Sequence, residues 1–311
     1  MKAAQINDYG DASVLQINEV EVPTVSDGQV LVEVHASSLN PFDTSVRAGY
    51  MKQYIPLEFP ATLGGDIAGI VTEIGADVTS VAVGDKVYGQ AYVVAGNSGA
   101  FAEYAATKST EVAKMPSNVD FNQAGSLPLA AVSALQAINH HIKLASGQKI
   151  FINGGAGAIG AVAIQIAKSI GAYVATTASG SAIDYVKQLG ADEVIDYKSN
   201  DFTEILSDYD AVFDTVGGEG FVKTLAILKK GGVAVSMASG VDEAQAKELG
   251  VTAIGQSTKV RTELLDELTT LVEDGVVTPQ IDTIFPLVDV EKAFELREAG
   301  NIRSKVVIQI K

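Results

Sequence analysis

The sequence predicts an α/β protein in two parts: a doubly wound parallel sheet in the middle of the chain and a mostly β region built from its first third. Three observations carry this. Short Val- and Ile-rich runs fill the first third between Gly, Asp, Pro and Ser turn residues. From Lys149 to Gly255 such runs alternate with amphipathic stretches, the pattern of repeated βα units. Between the first two runs of that middle region stands a glycine-rich turn. At 311 residues the chain has room for two bodies, each burying its own core.

In the first third, strands are expected at Lys2 to Asn7, Leu15 to Val20, Gln29 to Ala36, Asp66 to Ile74 and Lys86 to Tyr88. A short helix starts at Pro41, because proline suits a first helical turn and Asn40 suits the cap. The middle region predicts six strands: Lys149 to Asn153, Ala172 to Thr177, Glu193 to Ile195, Asp210 to Asp214, Gly232 to Met237 and Val251 to Ile254. Ile159, Val162, Ala163, Ile166 and Ala167 recur at helical spacing and stop at Gly171, a natural terminator. Further helices are expected at Ala182 to Leu189, Phe221 to Leu228, Asp242 to Leu249, Thr262 to Glu273 and Val290 to Ala299, with a turn at Pro279. The closing strand Lys305 to Ile310 need not join the middle sheet, which six strands already complete, and is free to return to the first region.

Composition removes several function classes. The chain has no cysteine, so disulfides, cysteine zinc sites and thiol nucleophiles are excluded together. A formal charge of −16 opposes binding to nucleic acid, and its plain reading is a solvated surface. No apolar run approaches the roughly 20 residues that span a bilayer. Met1 to Ile6 lacks the apolar core and cleavage site of a secretory signal, so a cytoplasmic location is expected. His35, His140 and His141 are not spaced as a ligand set. His35 reads as a strand residue and the adjacent pair as a helix end.

The turn Asn153-Gly154-Gly155-Ala156-Gly157-Ala158-Ile159-Gly160 follows a predicted strand and opens a predicted helix. Gly155, Gly157 and Gly160 fit G-x-G-x-x-G: one glycine for a tight turn, one for close approach to a pyrophosphate, one for helix–strand packing. Amides at the helix start then face the phosphates, aided by the helix dipole. The plain alternative is a structural glycine turn, but strand, turn, helix and later βα units agree on the dinucleotide. At the end of the next strand, where NAD binding wants an acid, the chain reads Thr176-Thr177-Ala178-Ser179-Gly180 without a carboxylate. A 2′-phosphate meets no repulsion there, and Thr177, Ser179 and the Gly180 backbone offer donors, so NADPH is the expected cofactor. No Arg or Lys stands in the segment, and Lys187 reads equally as a solvated helix residue.

At this point the sequence resembles the medium-chain dehydrogenase/reductase superfamily, in its zinc-independent quinone oxidoreductase (zeta-crystallin-like) branch. The resemblance spans nearly the whole chain and rests on the order and spacing of several strings. They are Asn40-Pro41-Phe42-Asp43 with Arg47-Ala48-Gly49, Gly64-Gly65-Asp66-Ile67-Ala68-Gly69, Val83-Gly84-Asp85-Lys86-Val87 and Gly99-Ala100-Phe101-Ala102-Glu103-Tyr104. Leu127-Pro128-Leu129-Ala130-Ala131, Leu189-Gly190-Ala191-Asp192 and Phe213-Asp214-Thr215-Val216-Gly217-Gly218 follow. The resemblance implies a GroES-like catalytic domain of residues 1–122 and 257–311, a Rossmann domain of residues 123–256, and a homodimer. Zinc-dependent relatives place a cysteine near Asn40 and a histidine near Gly65. This chain has neither, and Tyr88 to Gly99 is too short for their cysteine-rich lobe.

The chemistry expected is hydride transfer from NADPH to a quinone or an α,β-unsaturated carbonyl, with the protein supplying position, dryness and electrostatics. By carry-over, Gly157, Ala158 and Ile159 line the pyrophosphate, and Thr177, Ser179 and Tyr197 surround the 2′ side, Tyr197 reading equally as a packed aromatic. Ser133 and Val216 lie toward the nicotinamide, the alternative for Ser133 being a small helix-packing residue. Asn40 is placed at nicotinamide and substrate, besides its cap role, and Tyr50 or Tyr54 offers a hydroxyl to the developing oxyanion. Asp43, Asp66 and Glu103 read as structural hydrogen-bonding groups. Two rivals stay open: an enone or alkenal reductase that does not act on quinones, and a non-catalytic NADPH-binding protein.

Overall fold

The Val- and Ile-rich runs of the first third become strands β1 (Lys2–Ile6), β2 (Gln16–Glu19), β3 (Gln29–Ser38), β4 (Ala61–Thr62), β5 (Asp66–Ile74), β6 (Lys86–Gln90), β7 (Tyr104–Lys108) and β8 (Val112–Lys114). Helix α1 (Pro41–Arg47) follows β3, and α2 (Phe121–Gly125) and α3 (Pro128–Leu135) follow β8, α3 running on into a π-helical stretch at Gln136–Ile142. This computed structural model describes residues 1–237, 241–300 and 302–311. The chain divides into two compact units: Met1–Ala130 with Val260–Asp274 and Pro279–Lys311, and Ala131–Lys259 with Gly275–Thr278.

The second unit is the alternating βα region. Its elements are β9 (Lys149–Asn153), α4 (Ala158–Ile170), β10 (Tyr173–Ala178), α5 (Ala182–Gln188), β11 (Glu193–Asp196), β12 (Tyr209–Asp214), α6 (Glu219–Leu225), β13 (Leu228–Ser236), α7 (Glu243–Leu249) and β14 (Thr252–Gly255). All six strands are parallel, in the order β11-β10-β9-β12-β13-β14. Strand order therefore reverses between β9 and β12, and in such sheets ligands bind outside the carboxyl ends at that point. The buried stripe of α4, including Val162, Ala163, Ile166 and Ala167, is the one its periodicity predicts, and Gly171 ends the helix at φ +89. Phe151, Val212, Phe221 and Leu225 share a core, each large apolar side chain contributing roughly 1.5–3 kcal/mol on burial.

The chain then passes through α8 (Thr262–Glu273), β15 (Ile281–Pro286), α9 (Val290–Glu298) and β16 (Lys305–Gln309). β16 pairs antiparallel with β3, so the tail returns to the first unit and completes a seven-stranded sheet in the order β15-β16-β3-β5-β6-β8, with β7 also on β3. β2-β1-β4 form a separate sheet. Ile6, Leu63, Phe101, Phe294 and Ile308 bring both ends of the chain into one core.

The structure departs from the expectations in places. β15 was not expected. Its partly buried Ile281, Thr283 and Phe285 alternate with exposed neighbours, a period-2 signal hidden behind the turn at Pro279. β7 and β8 were also not expected. β13 starts at Leu228 rather than Gly232, because Leu228 pairs with Tyr209 ahead of the turn-like Lys229-Lys230-Gly231, and α6 accordingly ends at Leu225. Among the described residues no helix is long and apolar enough to cross a membrane.

Candidate active site

In the second unit the glycine-rich turn sits at the carboxyl end of β9, where strand order reverses. The left-handed backbone falls at Gly154 (φ +89) rather than at Gly155, which was expected to make the tight turn. Gly155 packs against β10 instead: a Cβ there would stand 2.1 Å from Thr176 Oγ1. One at Gly160 would stand 2.3 Å from the Gly154 carbonyl, which is the close packing expected of that position. Gly157 is different in kind. It is exposed, and its Cβ would meet only the Gly154 oxygen, at 3.4 Å. As N-cap of α4 it brings no side chain to the first-turn amides of Ala158, Ile159 and Gly160. Those N–H groups are the positive end of a thirteen-residue helix, and such a start without a side-chain cap is a place where an anion can bind.

A buried polar network holds this turn. Thr177 is 4% exposed, and its hydroxyl donates to Asn153 Oδ1 (2.7 Å) while accepting from the Gly154 N–H (2.9 Å). Thr177 therefore fixes the glycine turn, and its hydroxyl is not available for the 2′ role expected of it. Asp214, fully buried at the end of β12, accepts from Asn153 Nδ2 (2.8 Å), Gly217 N (2.9 Å), Ser236 Oγ (3.2 Å) and Val216 N (3.4 Å). One carboxylate thus ties the ends of three neighbouring strands. Neither Asn153 nor Asp214 was expected to matter, because their spacing of 61 residues becomes adjacency only when β9 pairs with β12. Asp214→Ala is expected to cost roughly 2–3 kcal/mol in urea unfolding, since it leaves buried donors unpaired.

The residues expected at the 2′ side stand where β10 and β11 end together, Ala178 opposite Asp196. Ser179 is half-buried, Gly180 is exposed with φ +55 and open space about it, and Tyr197 is 58% exposed, which sets aside the packed-aromatic reading. Lys198, not singled out from the sequence, is exposed beside Tyr197 and brings a cation to this edge. Val216 is also exposed and stands over Gly154. Ser133 is fully buried. Its hydroxyl bonds Thr258 Oγ1 (2.7 Å), and its carbonyl accepts from Gln256 Nε2 (2.9 Å) just where α3 gives way to π-helical turns.

The first unit holds a second buried cluster. Lys305 Nζ, on β16, donates to Asn40 Oδ1 (2.7 Å), Asp66 Oδ2 (3.1 Å) and the Leu39 carbonyl (3.3 Å). Asn40 Nδ2 donates to Asp66 Oδ2 (2.9 Å) and to the Tyr92 hydroxyl oxygen (3.2 Å). Asp66 also accepts from Ser38 Oγ (2.9 Å) and the Leu129 N–H (3.0 Å). Asn40 begins α1 as its N-cap, in a capping box with Asp43. The Asp43 carboxylate reaches back to the Asn40 N–H (2.7 Å), leaving the Asn40 amide to the cluster. Burial lowers the Lys305 ammonium, with Asp66 opposing the shift, and burial raises the Tyr92 phenol well above its usual range. Tyr50 and Tyr54, expected to serve the substrate, are 76% and 80% exposed and lie outside this cluster.

Burial also pushes the Asp43 carboxyl up to about 7, with the nearby Asp66 adding to it. Because the folded value is raised, the native state holds this proton more tightly than the unfolded chain. That stability is fully present below about pH 4 and is lost as pH rises to about 7. Asp43→Asn, which keeps an acceptor for the Asn40 N–H, is expected to flatten the fall in unfolding free energy between pH 5 and pH 8.

These residues do not fit a catalytic zinc. Gly65 offers no ligand atom, and a Cβ there would lie 1.9 Å from Tyr92 Cζ, so the tyrosine ring fills the space a ligand side chain would need. Both ends of the Asn40 amide are committed, and among the described residues no group of three or more His, Cys, Asp or Glu is gathered to hold a metal.

The family described as alcohol dehydrogenase GroES-like domain matches residues 26–117, and the one described as zinc-binding dehydrogenase matches residues 189–308. The chain is 36% identical to a 2-methylene-furan-3-one reductase of Solanum lycopersicum, over 99% of this chain and 79% of that protein. It is 33% identical to a chloroplastic NADPH-dependent alkenal/one oxidoreductase of Arabidopsis thaliana, again over 99% and 79%. The structure of a quinone oxidoreductase from Coxiella burnetii superposes with a TM-score of 0.90 at 34% identity, covering 100% of this chain and 99% of that one. A two-unit dinucleotide-binding oxidoreductase is the class that fold and site define. Within it, the chain belongs to the medium-chain dehydrogenase/reductase superfamily, in the zinc-independent branch that contains the quinone oxidoreductases.

Proposed function

We propose that the protein is an NADPH-dependent reductase of α,β-unsaturated carbonyls and quinones. The observation that carries it is the uncapped start of α4 at the strand reversal, open at Gly157 and locked from behind by Thr177, Asn153 and Asp214. The amides of Ala158, Ile159 and Gly160 would hold the diphosphate, and Ser179, Gly180, Tyr197 and Lys198 would surround the 2′-phosphate, with Ser133 and Val216 toward the nicotinamide. Bound NADPH supplies a hydride to the electrophilic carbon of the acceptor. The protein positions both partners and excludes water, and for an enone or quinone the resulting oxyanion takes its proton from solvent, so no dedicated acid is required. The similar reductases named for an alkenal/one and a furanone support an enone acceptor, and the Coxiella burnetii protein supports a quinone.

Steady oxidation of NADPH in the presence of enones and quinones tests this reading. Tight NADPH binding without turnover across that panel would favour the non-catalytic alternative. Titration should show NADPH bound more tightly than NADH, and Lys198→Ala should erode that preference by about tenfold, or about 1.4 kcal/mol. NADH bound tenfold better than NADPH would overturn the cofactor assignment. We further propose a homodimer in the cytoplasm, joined through β14 at the edge of the six-stranded sheet. Sedimentation at micromolar concentration tests the dimer.

A further inference from the structure

Asn153 and Gly154 form the only Asn–Gly pair in the sequence. Such a pair is chemically labile: glycine has no side chain to shield its nitrogen, so in an open chain that nitrogen readily reaches the carboxamide carbon of the asparagine. The fold sets the pair at the carboxyl end of β9, in the turn that leads to α4. There it is held by three restraints. Asn153 is 7% exposed, and pairing with Asp214 of β12 keeps its backbone extended. Its carboxamide is anchored at both ends, Oδ1 accepting from Thr177 Oγ1 on β10 (2.7 Å) and Nδ2 donating to Asp214 Oδ1 on β12 (2.8 Å). The attacking atom is tied as well, since the Gly154 N–H donates to the same Thr177 oxygen (2.9 Å). One hydroxyl therefore holds both reacting groups, each bound to it rather than to the other.

We propose that Asn153 is a deamidation site of this protein, kept closed by Thr177 and Asp214 and closed further by the dinucleotide that the turn binds. When the turn opens, Gly154 N bonds to Asn153 Cγ, the Cγ–Nδ2 bond breaks, and the side-chain nitrogen leaves as ammonia with the proton that Gly154 gives up. Water then opens the resulting succinimide at one of its two carbonyls, giving aspartate or isoaspartate at 153. Either product damages the turn. Aspartate sets a second carboxylate against Asp214 where Nδ2 had donated, in a place too buried for water to screen the two charges. Isoaspartate lengthens the main chain by one carbon immediately before Gly154. A ligand seated on the turn opposes its opening, so NADPH at about 100 times its dissociation constant slows the loss about 100-fold. Protection by cofactor rests on the NADPH reading given above, whereas the safeguard by Thr177 and Asp214 does not.

Peptide mapping by mass spectrometry after incubation at pH 8 reads the conversion of Asn153. Thr177→Val keeps the branched shape but removes the shared hydroxyl, and should lose the Asn153 amide at least about tenfold faster than wild type. Thr177→Ser restores the hydroxyl and should stay within about twofold of wild type. Phe221→Leu, a change inside the apolar core of the same unit, should lower the urea midpoint yet leave the Asn153 rate near wild type. Wild type in denaturing urea sets the rate of the open chain, and the folded protein should fall well below it. An amide lost as fast from folded wild type as in urea, no acceleration in Thr177→Val, or equal acceleration in Phe221→Leu overturns the safeguard. If NADPH binds but does not slow the loss, the share assigned to the dinucleotide is overturned. If NADPH does not bind at all, that share falls together with the cofactor reading, and the Thr177 result still decides the rest.

Discussion

Gly157→Val is expected to weaken NADPH binding by at least about 100-fold, or about 2.8 kcal/mol, while leaving the urea unfolding midpoint where it was. The separation follows from the space around this glycine. Its Cβ would meet only the Gly154 carbonyl oxygen, at 3.4 Å, and its φ of −75 is open to any residue. The folded chain therefore accepts a side chain there, but the added methyl groups occupy the space in front of the α4 amides that a diphosphate needs. Gly155 and Gly160 should behave oppositely. Alanine at either would drive a Cβ to within 2.1 Å of Thr176 Oγ1 or 2.3 Å of the Gly154 oxygen, so stability falls along with affinity. Isothermal titration beside urea denaturation distinguishes the two behaviours. Unchanged affinity in Gly157→Val would remove this turn from the binding site.

The second large effect is expected at Lys305. Lys305→Met keeps the length of the stem but deletes the ammonium that, among the described residues, alone bonds Asp66, leaving that fully buried carboxylate with neutral donors. Losing one partner of a buried pair typically costs about 3–5 kcal/mol, far more than an exposed pair contributes. The double variant Lys305→Met with Asp66→Asn should recover part of the loss, because it removes the uncompensated charge. If the single variant unfolded within 1 kcal/mol of wild type, the pair would not be the anchor of this cluster.

Much of the fold was legible in order along the chain. The βα alternation marks six strands, and the run from Asn153 to Gly160 marks the dinucleotide turn, because strand, turn and helix are local events governed by residue type and periodicity. What stayed hidden depends on pairing at long range. Asn153 and Asp214 are 61 residues apart, Asn40 and Lys305 are 265 apart, and nothing in either neighbourhood marks them as partners. Tyr92 is a similar case. It belongs to a short loop whose only visible feature was being too short for a zinc lobe, and its position over Gly65 exists only in the folded sheet.

The amino-acid order by itself determined that this protein has no cysteine chemistry, that its middle is a parallel sheet, and that one helix begins on glycines beside a strand lacking the acid NAD would want. These follow from local sterics and composition. Only tertiary structure decided what the polar residues do: Thr177 is turned inward to hold the glycine loop, Asn40 is bonded to Lys305 and Asp66, and Tyr92 accepts from Asn40. The physical reason is that a buried amide, carboxylate or hydroxyl takes its role from whichever donors and acceptors the folded strands bring within about 3 Å, and sequence distance carries no record of that.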